Sequence, residues 1–288
     1  MVIKDLLMEG IKILEVNPNI NSQLEVRLIL SHLMEVDKSY LYAYIDKNVE
    51  ESIKDEFLKL VNKRSLGYPL QYLIGVQEFM GLEFKVSQGV LIPRGDTEVL
   101  VEYLIDYIKE KYGDNEFSIL DIGVGSGIIS LAIGKYFPRG KVFGVDINKK
   151  AINLANENMK KFGLTNVIYK YGNLFSPFEV GKDTFDIIVS NPPYIPTSDK
   201  NNLQIEVKDF EPENALFGGL DGLDFYRLIS REALNFLKED SLLAYEVGHN
   251  QGEDVKSIME ELGYSKIKVI KDLEERDRVV VGSLKRRE

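Results

Sequence analysis

Apolar residues in the first 75 positions recur with the period of an amphipathic helix. "IKDLLMEGIKILEV" carries Ile3, Leu6, Leu7, Ile11 and Leu14 at that spacing, and Asn21 or Ser22 can cap a second helix through Leu24, Leu28, Leu30 and Leu33. The short aromatic stretch "SYLYAYI" follows, and Asn48 can cap a further helix over Ile53, Phe57, Leu60 and Val61. The pattern breaks at "LGYPLQYLIG", residues 66–75. Beyond it, "VQEFMGLEFKVSQGVLIP" alternates and contains Gly81 and Gly89, which predicts a hairpin. "DTEVLVEYLIDYIKEKYG" then predicts an amphipathic helix, capped by Asp96 or Thr97 and ended by Gly113.

From residue 117 strands and helices alternate. Strands are predicted at 117–122, 141–146, 166–170, 184–190 and 241–247, with helices near 127–136, 148–162 and 222–238. A helix near 251–262 and two more strands, "SKIKVIKD" and "DRVVVGSL", complete the chain. This is the pattern of an α/β, Rossmann-like fold: a seven-stranded, mostly parallel sheet with an antiparallel terminal hairpin, preceded by a small all-α bundle. The predicted organisation is a helical domain over 1–75, a β-hairpin connector over 76–95 and an α/β domain over 96–288.

Composition narrows the chemistry. The 288 residues contain no cysteine and only two histidines, His32 and His249, so neither disulfides nor thiolate chemistry nor a metal site is expected. No run of eighteen apolar residues marks a membrane span, and the N-terminus lacks an uninterrupted signal-peptide core. A cytoplasmic location follows as the expectation. A net charge of −10 argues against a broad grip on a nucleic-acid backbone, though solubility alone would also explain it.

"ILDIGVGSGIISLAIG" supplies the first chemical signal. A strand ends at Asp121-Ile122, and Gly123, Gly125 and Gly127 alternate with Val124 and Ser126 before a helix begins. Glycines let a backbone turn sharply and let a ligand approach the main chain. A dinucleotide loop wants glycine at the sixth place, where this chain has Ile128. The second strand ends in Asp146, nineteen residues past Gly127, where a carboxylate can accept both hydroxyls of a ribose. Nicotinamide dehydrogenases place an acid there as well, and an ordinary tight turn would use the same glycines. After the third strand comes "YGNLFSPF", which brings an amide, Asn173, and the apolar Leu174 and Phe175 to the same sheet edge.

The fourth strand runs into "SNPPY", residues 190–194. Neither proline can donate a backbone hydrogen bond, so Pro192 and Pro193 are poor material for a sheet. As a binding loop they make sense. An amide or aromatic amine nitrogen is a weak nucleophile because its lone pair is delocalised. The Asn191 side-chain oxygen and the Pro192 carbonyl are two acceptors that can hold both N–H groups of such a nitrogen. Tyr194 offers a ring for a planar group to stack upon. No strong base is needed if the proton leaves only after the nitrogen has become cationic. Adenine in DNA, a base in RNA, and a glutamine side chain in a protein all remain open as targets.

The D-x-G-x-G-x-G arrangement resembles the cofactor loop of class I S-adenosylmethionine-dependent methyltransferases. Further, "PLQYLIG", "GVLIPRGDTEVLVE", "ILDIGVGSG", "SNPPYIP", "EPENALFGGLDGLDFYRLI" and "EVGHNQGEDV…DLEERDRVVVG" occur in this order. Together they resemble the release-factor glutamine methyltransferases, the HemK or PrmC family, over essentially the full length. The resemblance implies S-adenosyl-L-methionine as cofactor and peptide chain release factors as partner, with methyl transfer to the glutamine of their Gly-Gly-Gln tripeptide. It implies no direct nucleic-acid or membrane partner and no metal. Cofactor contacts would fall on Asp121, Gly123, Val124, Gly125, Ser126, Gly127, Asp146, Asn173, Leu174 and Asn191. The target glutamine would be held by Asn191, Pro192, Pro193 and Tyr194, with residues 92–98 bordering the pocket. The Asp96-Thr97-Glu98 triplet resembles this branch more than the sister family that modifies a ribosomal protein. Two positions depart from the pattern, Gly95 for proline and Asn173 for aspartate, which makes the adenine contact neutral. A nucleic-acid amino-methyltransferase, a nicotinamide oxidoreductase and a non-catalytic binding protein are the alternatives.

Overall fold

The computed structural model describes residues 1–284, and these form two compact units. The first joins Met1–Val76 with Gln204–Phe210. Its helices are α1 (Ile3–Leu14), α2 (Ser22–Met34), α3 (Lys38–Ala43), α4 (Glu51–Ser65) and α5 (Leu70–Ile74), joined by a short helix, Ile205–Phe210, that is α9 in chain order. The apolar faces predicted for this region bury Ile3, Leu6, Leu14, Val26, Ile29, Phe57 and Val61 together. Asn21 caps α2, its side chain accepting from the Leu24 N–H. Asn48 caps nothing: α4 starts at Glu51 without a side-chain cap, and Asn48 instead bridges to Val2.

Sequence patterning gave no hint that 205–210 would join this bundle. The fastening is polar. The Arg64 side chain, 3% exposed, donates to Glu25 from α2 and, at 2.7 Å, to Glu206 from α9. Ring contact between Tyr68 and Phe210, with centroids 5.1 Å apart, adds an apolar seam.

The second unit holds Gln77–Leu203 and Glu211–Glu288, of which the residues up to 284 are described. A hairpin, β1 (Val76–Phe79) and β2 (Leu82–Lys85), leads through an irregular stretch to α6 (Asp96–Lys111). Asp96 is the first residue of that helix rather than its cap. The alternation then runs β3 (Ser118–Ile122), α7 (Ile128–Tyr136), β4 (Lys141–Asp146), α8 (Lys149–Lys161), β5 (Val167–Tyr171), β6 (Phe185–Ser190), α10 (Asp224–Ala233), β7 (Leu237–Glu246), α11 (Gly252–Glu261), β8 (Tyr264–Lys271) and β9 (Asp277–Leu284). Helix α10 is shorter than the predicted 222–238, because Leu237 already pairs with Phe185 and begins β7.

The sheet order is β5-β4-β3-β6-β7-β9-β8, parallel except where β9 runs against both β7 and β8. The expected α/β architecture is therefore present, with its antiparallel terminal hairpin. Strand residues alternate between two apolar layers: Ile187 and Val189 face a layer with α6 and α7, while Ile188 faces one with α10 and α11. Strand order reverses between β3 and β6, so the loops leaving these neighbours diverge and open a crevice at their carboxyl ends. No helix among the described residues is long and apolar enough to cross a membrane.

Arg64→Ala should destabilise the first unit by roughly 3–5 kcal/mol, since it strands two carboxylates that are not fully solvated. Denaturant unfolding followed by circular dichroism measures this; a loss below about 1 kcal/mol would show the triad to be dispensable.

Candidate active site

At the crevice the two strand ends are tied directly. The Ser190 hydroxyl donates to the Ile122 carbonyl at 2.7 Å, in register with the Ile122–Ser190 pair. The glycine loop leaves from one side of this tie and the Asn-Pro-Pro-Tyr loop from the other. Between them lies a cavity of about 400 Å³. Of the site residues predicted from sequence, Gly123, Gly125, Asp146, Asn173, Leu174, Asn191, Pro192 and Pro193 line it. Asp121, Val124, Ser126, Gly127 and Tyr194 do not reach its wall.

The loop glycines divide their work. A Cβ on Gly125 would meet nothing within 4 Å, so this position leaves the cavity open beside its backbone. A Cβ on Gly127 would stand 2.8 Å from the Tyr169 hydroxyl and 2.9 Å from Leu131, so this glycine lets α7 pack against the sheet. Asp146 accepts the Gly125 N–H through one oxygen at 2.9 Å and the Asn148 N–H through the other at 2.7 Å. Burial raises its pKa above the ordinary carboxylate range, with both N–H groups opposing that rise.

Asp121 sits beneath the loop. One oxygen accepts the Ser130 N–H at 3.2 Å and the other has no partner among the described residues, though both are buried. Burial pushes its pKa up to about 7, against the pull of Ser130. Across the cavity Leu174 holds a left-handed backbone with φ of 48°, unusual for a branched residue, where the turn over 174–177 begins. Phe175 turns away from the cavity and stacks on Phe236 in the core, 4.7 Å centroid to centroid.

The Asn-Pro-Pro-Tyr loop is braced by groups with no motif of their own. The Asn191 amide donates to Glu246 Oε2 at 2.8 Å and to Thr97 Oγ1 at 3.2 Å. Its Oδ1 and the Pro192 carbonyl accept no hydrogen bond from the described residues. Gln251 donates to the Tyr194 carbonyl at 3.0 Å, and Ile195 pairs with Phe217. Burial raises the pKa of the Tyr194 phenol, and the Glu246 and Asp96 carboxylates raise it further. In the 92–98 segment Arg94 donates to the buried Glu211, and Glu98 accepts the Met80 N–H at 2.8 Å. The cavity wall on that side is Val90 and Leu91, just upstream. Thr97 lay in the 92–98 segment expected to border the pocket, and Glu246 and Gln251 in the "EVGHNQGEDV" stretch, but their hydrogen bonds to the Asn-Pro-Pro-Tyr loop were not foreseen, because each lies far from it in the chain. The one signal was Glu246 at the end of a predicted strand, where a charge among apolar residues needs a reason.

This fold with this crevice is that of a methyltransferase, and the Methyltransferase small domain family matches residues 95–207. A methyltransferase from Pyrococcus furiosus has the same fold, with a TM-score of 0.51 and 19% identity, covering 72% of this chain and 91% of that one. Residues 5–75 match the PrmC N-terminal domain. The release factor glutamine methyltransferase of Fusobacterium nucleatum is 40% identical over 280 residues, 96% of this chain and 78% of the relative. Those of Geobacter sulfurreducens and Clostridium acetobutylicum are 41% identical over 264 residues and 38% identical over 284 residues, covering 92% and 98% of this chain and 90% and 98% of theirs. The chain belongs to the release factor glutamine methyltransferase family.

Gly127→Ala should cost about 2 kcal/mol or more, from positive φ and overpacking combined, whereas Gly125→Ala meets only the backbone strain. Thermal melting of both variants should therefore rank Gly127→Ala well below Gly125→Ala; the reverse order would contradict the packing role. Asp121 binds its proton more tightly when folded, so between its ordinary pKa of 3.8 and about 7 its contribution to stability falls as pH rises. Asp121→Asn should consequently gain more stability over the parent at pH 8 than at pH 5, as read by denaturant midpoints. An equal difference at both pH values would sink this account of Asp121.

Proposed function

We propose that this methyltransferase uses S-adenosyl-L-methionine to methylate the side-chain amide nitrogen of the glutamine in the Gly-Gly-Gln motif of peptide chain release factors. The observation that carries the reading is the pair of open acceptors, Asn191 Oδ1 and the Pro192 carbonyl, on a cavity that also holds the glycine loop. The residues present fit the cofactor. Gly125 leaves room beside its backbone, Asp146 stands where a ribose would lie, and Asn173 and Leu174 form the wall for an adenine ring. The unpartnered oxygen of Asp121 is a buried acceptor under the loop, behind the cavity wall. When bound, the cofactor supplies an electrophilic methyl group on a sulfonium sulfur.

The chain's own part is positional. Asn191 Oδ1 and the Pro192 carbonyl accept the two N–H groups of the target amide, which turns the nitrogen lone pair out of conjugation and toward the methyl group. The methyl group the cofactor would supply would pass to this nitrogen as its bond to sulfur broke, so the positive charge would end on nitrogen. The nitrogen then loses a proton to water, so no base is required, and no histidine lines the cavity. The prolines keep the acceptors in place without an entropy cost at the moment of reaction. Tyr194, expected to stack on the amide, instead packs behind the loop against the core layer of α10 and α11, so its part in this reading is to support the loop. In this reading residues 1–75 recognise the release factor, 76–95 connect, 96–288 carry out the transfer, and the protein works in the cytoplasm without a nucleic-acid or membrane partner. The net charge of −10 and the bundle's lack of a phosphate loop support that assignment.

Methyl-labelled S-adenosylmethionine, incubated with purified release factor or duplex DNA, should label only the Gly-Gly-Gln glutamine. Label on DNA alone would overturn the proposal. Asn191→Ala should reduce transfer by roughly 100-fold or more while cofactor affinity changes little, as calorimetry and single-turnover assays would show.

A further inference from the structure

We propose that Glu246, together with Thr97, is a positioning residue for methyl transfer: it locks the Asn191 amide with its oxygen, rather than its nitrogen, presented to the substrate. The inference rests on the reading of Asn191 above. The two ends of an asparagine amide are nearly equal in size, so packing alone does not distinguish them, and rotation by about 180° exchanges an acceptor for two donors. In the wrong orientation Nδ2 would meet the N–H groups of the target amide, and neither side would have an acceptor. Only hydrogen-bond partners can choose between the two states.

Here the choice is one-sided. Nδ2 gives hydrogen bonds to Glu246 Oε2 at 2.8 Å and to Thr97 Oγ1 at 3.2 Å. The Thr97 hydroxyl is itself hydrogen-bonded to the Glu246 carboxylate, so toward Asn191 its oxygen serves as an acceptor. A rotated Asn191 would set Oδ1 against the ionised Glu246 carboxylate, which has no hydrogen to give, and could be satisfied by Thr97 only by taking that hydroxyl's hydrogen from Glu246. Glu246 and Thr97 are 1% and 0% exposed, so water is not at hand to relieve that clash of lone pairs.

The fold fixes Glu246 as firmly as it fixes Asn191. Tyr245 of β7 stands opposite Ser190 of β6, which puts Glu246 at the strand end beside the start of the Asn-Pro-Pro-Tyr loop. Its backbone carbonyl accepts the Tyr226 hydroxyl at 2.9 Å, and its partner in β9 is Val279. The charged and titratable groups facing its carboxylate are Asp96 of α6, Arg278 of β9 and the Tyr194 and Tyr226 phenols. Arg278 is divided between Asp96 at 3.0 Å and Asp272 at 2.8 Å, so Glu246 has no cation of its own. Burial, reinforced by Asp96, therefore pushes its pKa up to about 7 against the pull of Thr97, Arg278 and Asn191. A protonated Glu246 can donate to Oδ1 and so tolerate the wrong orientation; the lock belongs to the carboxylate.

The test compares wild type, Glu246→Gln, Thr97→Val and Asn191→Ala in steady-state methylation of purified release factor, with cofactor affinity by calorimetry and melting temperature alongside. A glutamine at 246 offers an oxygen or a nitrogen to Asn191 equally, so the bias is lost while volume is kept. Glu246→Gln should lower kcat by at least about twofold, the loss expected when half of the Asn191 amides point the wrong way, while KM and cofactor affinity stay at their wild-type values. Wild-type kcat should fall as pH drops from 8 to 6, and that dependence should vanish in Glu246→Gln; a merely structural role would move the melting temperature but not the pH profile. Wild-type kcat in Glu246→Gln with an inactive Asn191→Ala overturns the lock and leaves the role of Asn191 standing. An active Asn191→Ala removes the reading beneath both. Should Glu246→Gln fail to fold, Thr97→Val decides: it leaves one Nδ2 hydrogen without an acceptor and should lower kcat several-fold, whereas wild-type kcat there overturns the proposal.

Discussion

The hydrogen bond from Ser190 to Ile122 is small, yet the site is arranged around it. It closes the register of β3 and β6 at the one place where the order of the parallel strands reverses. At that place two loops from distant parts of the chain must diverge, one carrying backbone amides and glycines, the other an amide oxygen and a rigid carbonyl. A shift of one residue in this pairing would turn Ile122 and Ser190 to the opposite faces and separate the acceptors from the cavity.

The second constraint is rigidity at the loop that follows β6. Two prolines restrict it internally, Gln251 holds the Tyr194 carbonyl, and Ile195 is paired with Phe217. The site also carries costs that a core designed only for stability would avoid. Asp121 and Glu246 are buried carboxylates without a dedicated cation, and Leu174 keeps a left-handed backbone. All three stand at or directly behind the cavity wall, where a fixed acceptor or a fixed turn has a use that offsets its cost.

A shared fold and a family-specific end explain the distribution of chemistry. The crevice between β3 and β6 belongs to the α/β architecture and is matched, as a fold, by a methyltransferase of low sequence identity. Beside that crevice the second unit carries the hairpin leading into α6 and the residues that pin Asn191. Unit one takes α9 from the middle of the chain, through the ion triad on Arg64.

Much of the architecture could be read from the chain alone. Period-3.6 and period-2 patterns gave the helices and strands, because burial on one face imposes its spacing on the sequence. Gly123–Gly127, Asp146 and Asn191–Tyr194 were recognisable because each is a local motif whose residue types have few other uses together. Helix caps were less legible: Asn48 has the right side chain for a cap but lies in a bridge to Val2, a contact across the unit. The partners of Glu246, Thr97, Gln251 and Arg64 were not legible, although Thr97 lay in the segment expected at the pocket border. Each acts through a partner between 39 and 142 positions away, and only the folded chain brings such pairs to hydrogen-bond distance. The sequence determined which groups would be available at the strand ends; the tertiary structure decided which atom of Asn191 faces outward, because that choice depends on neighbours that local pattern does not encode.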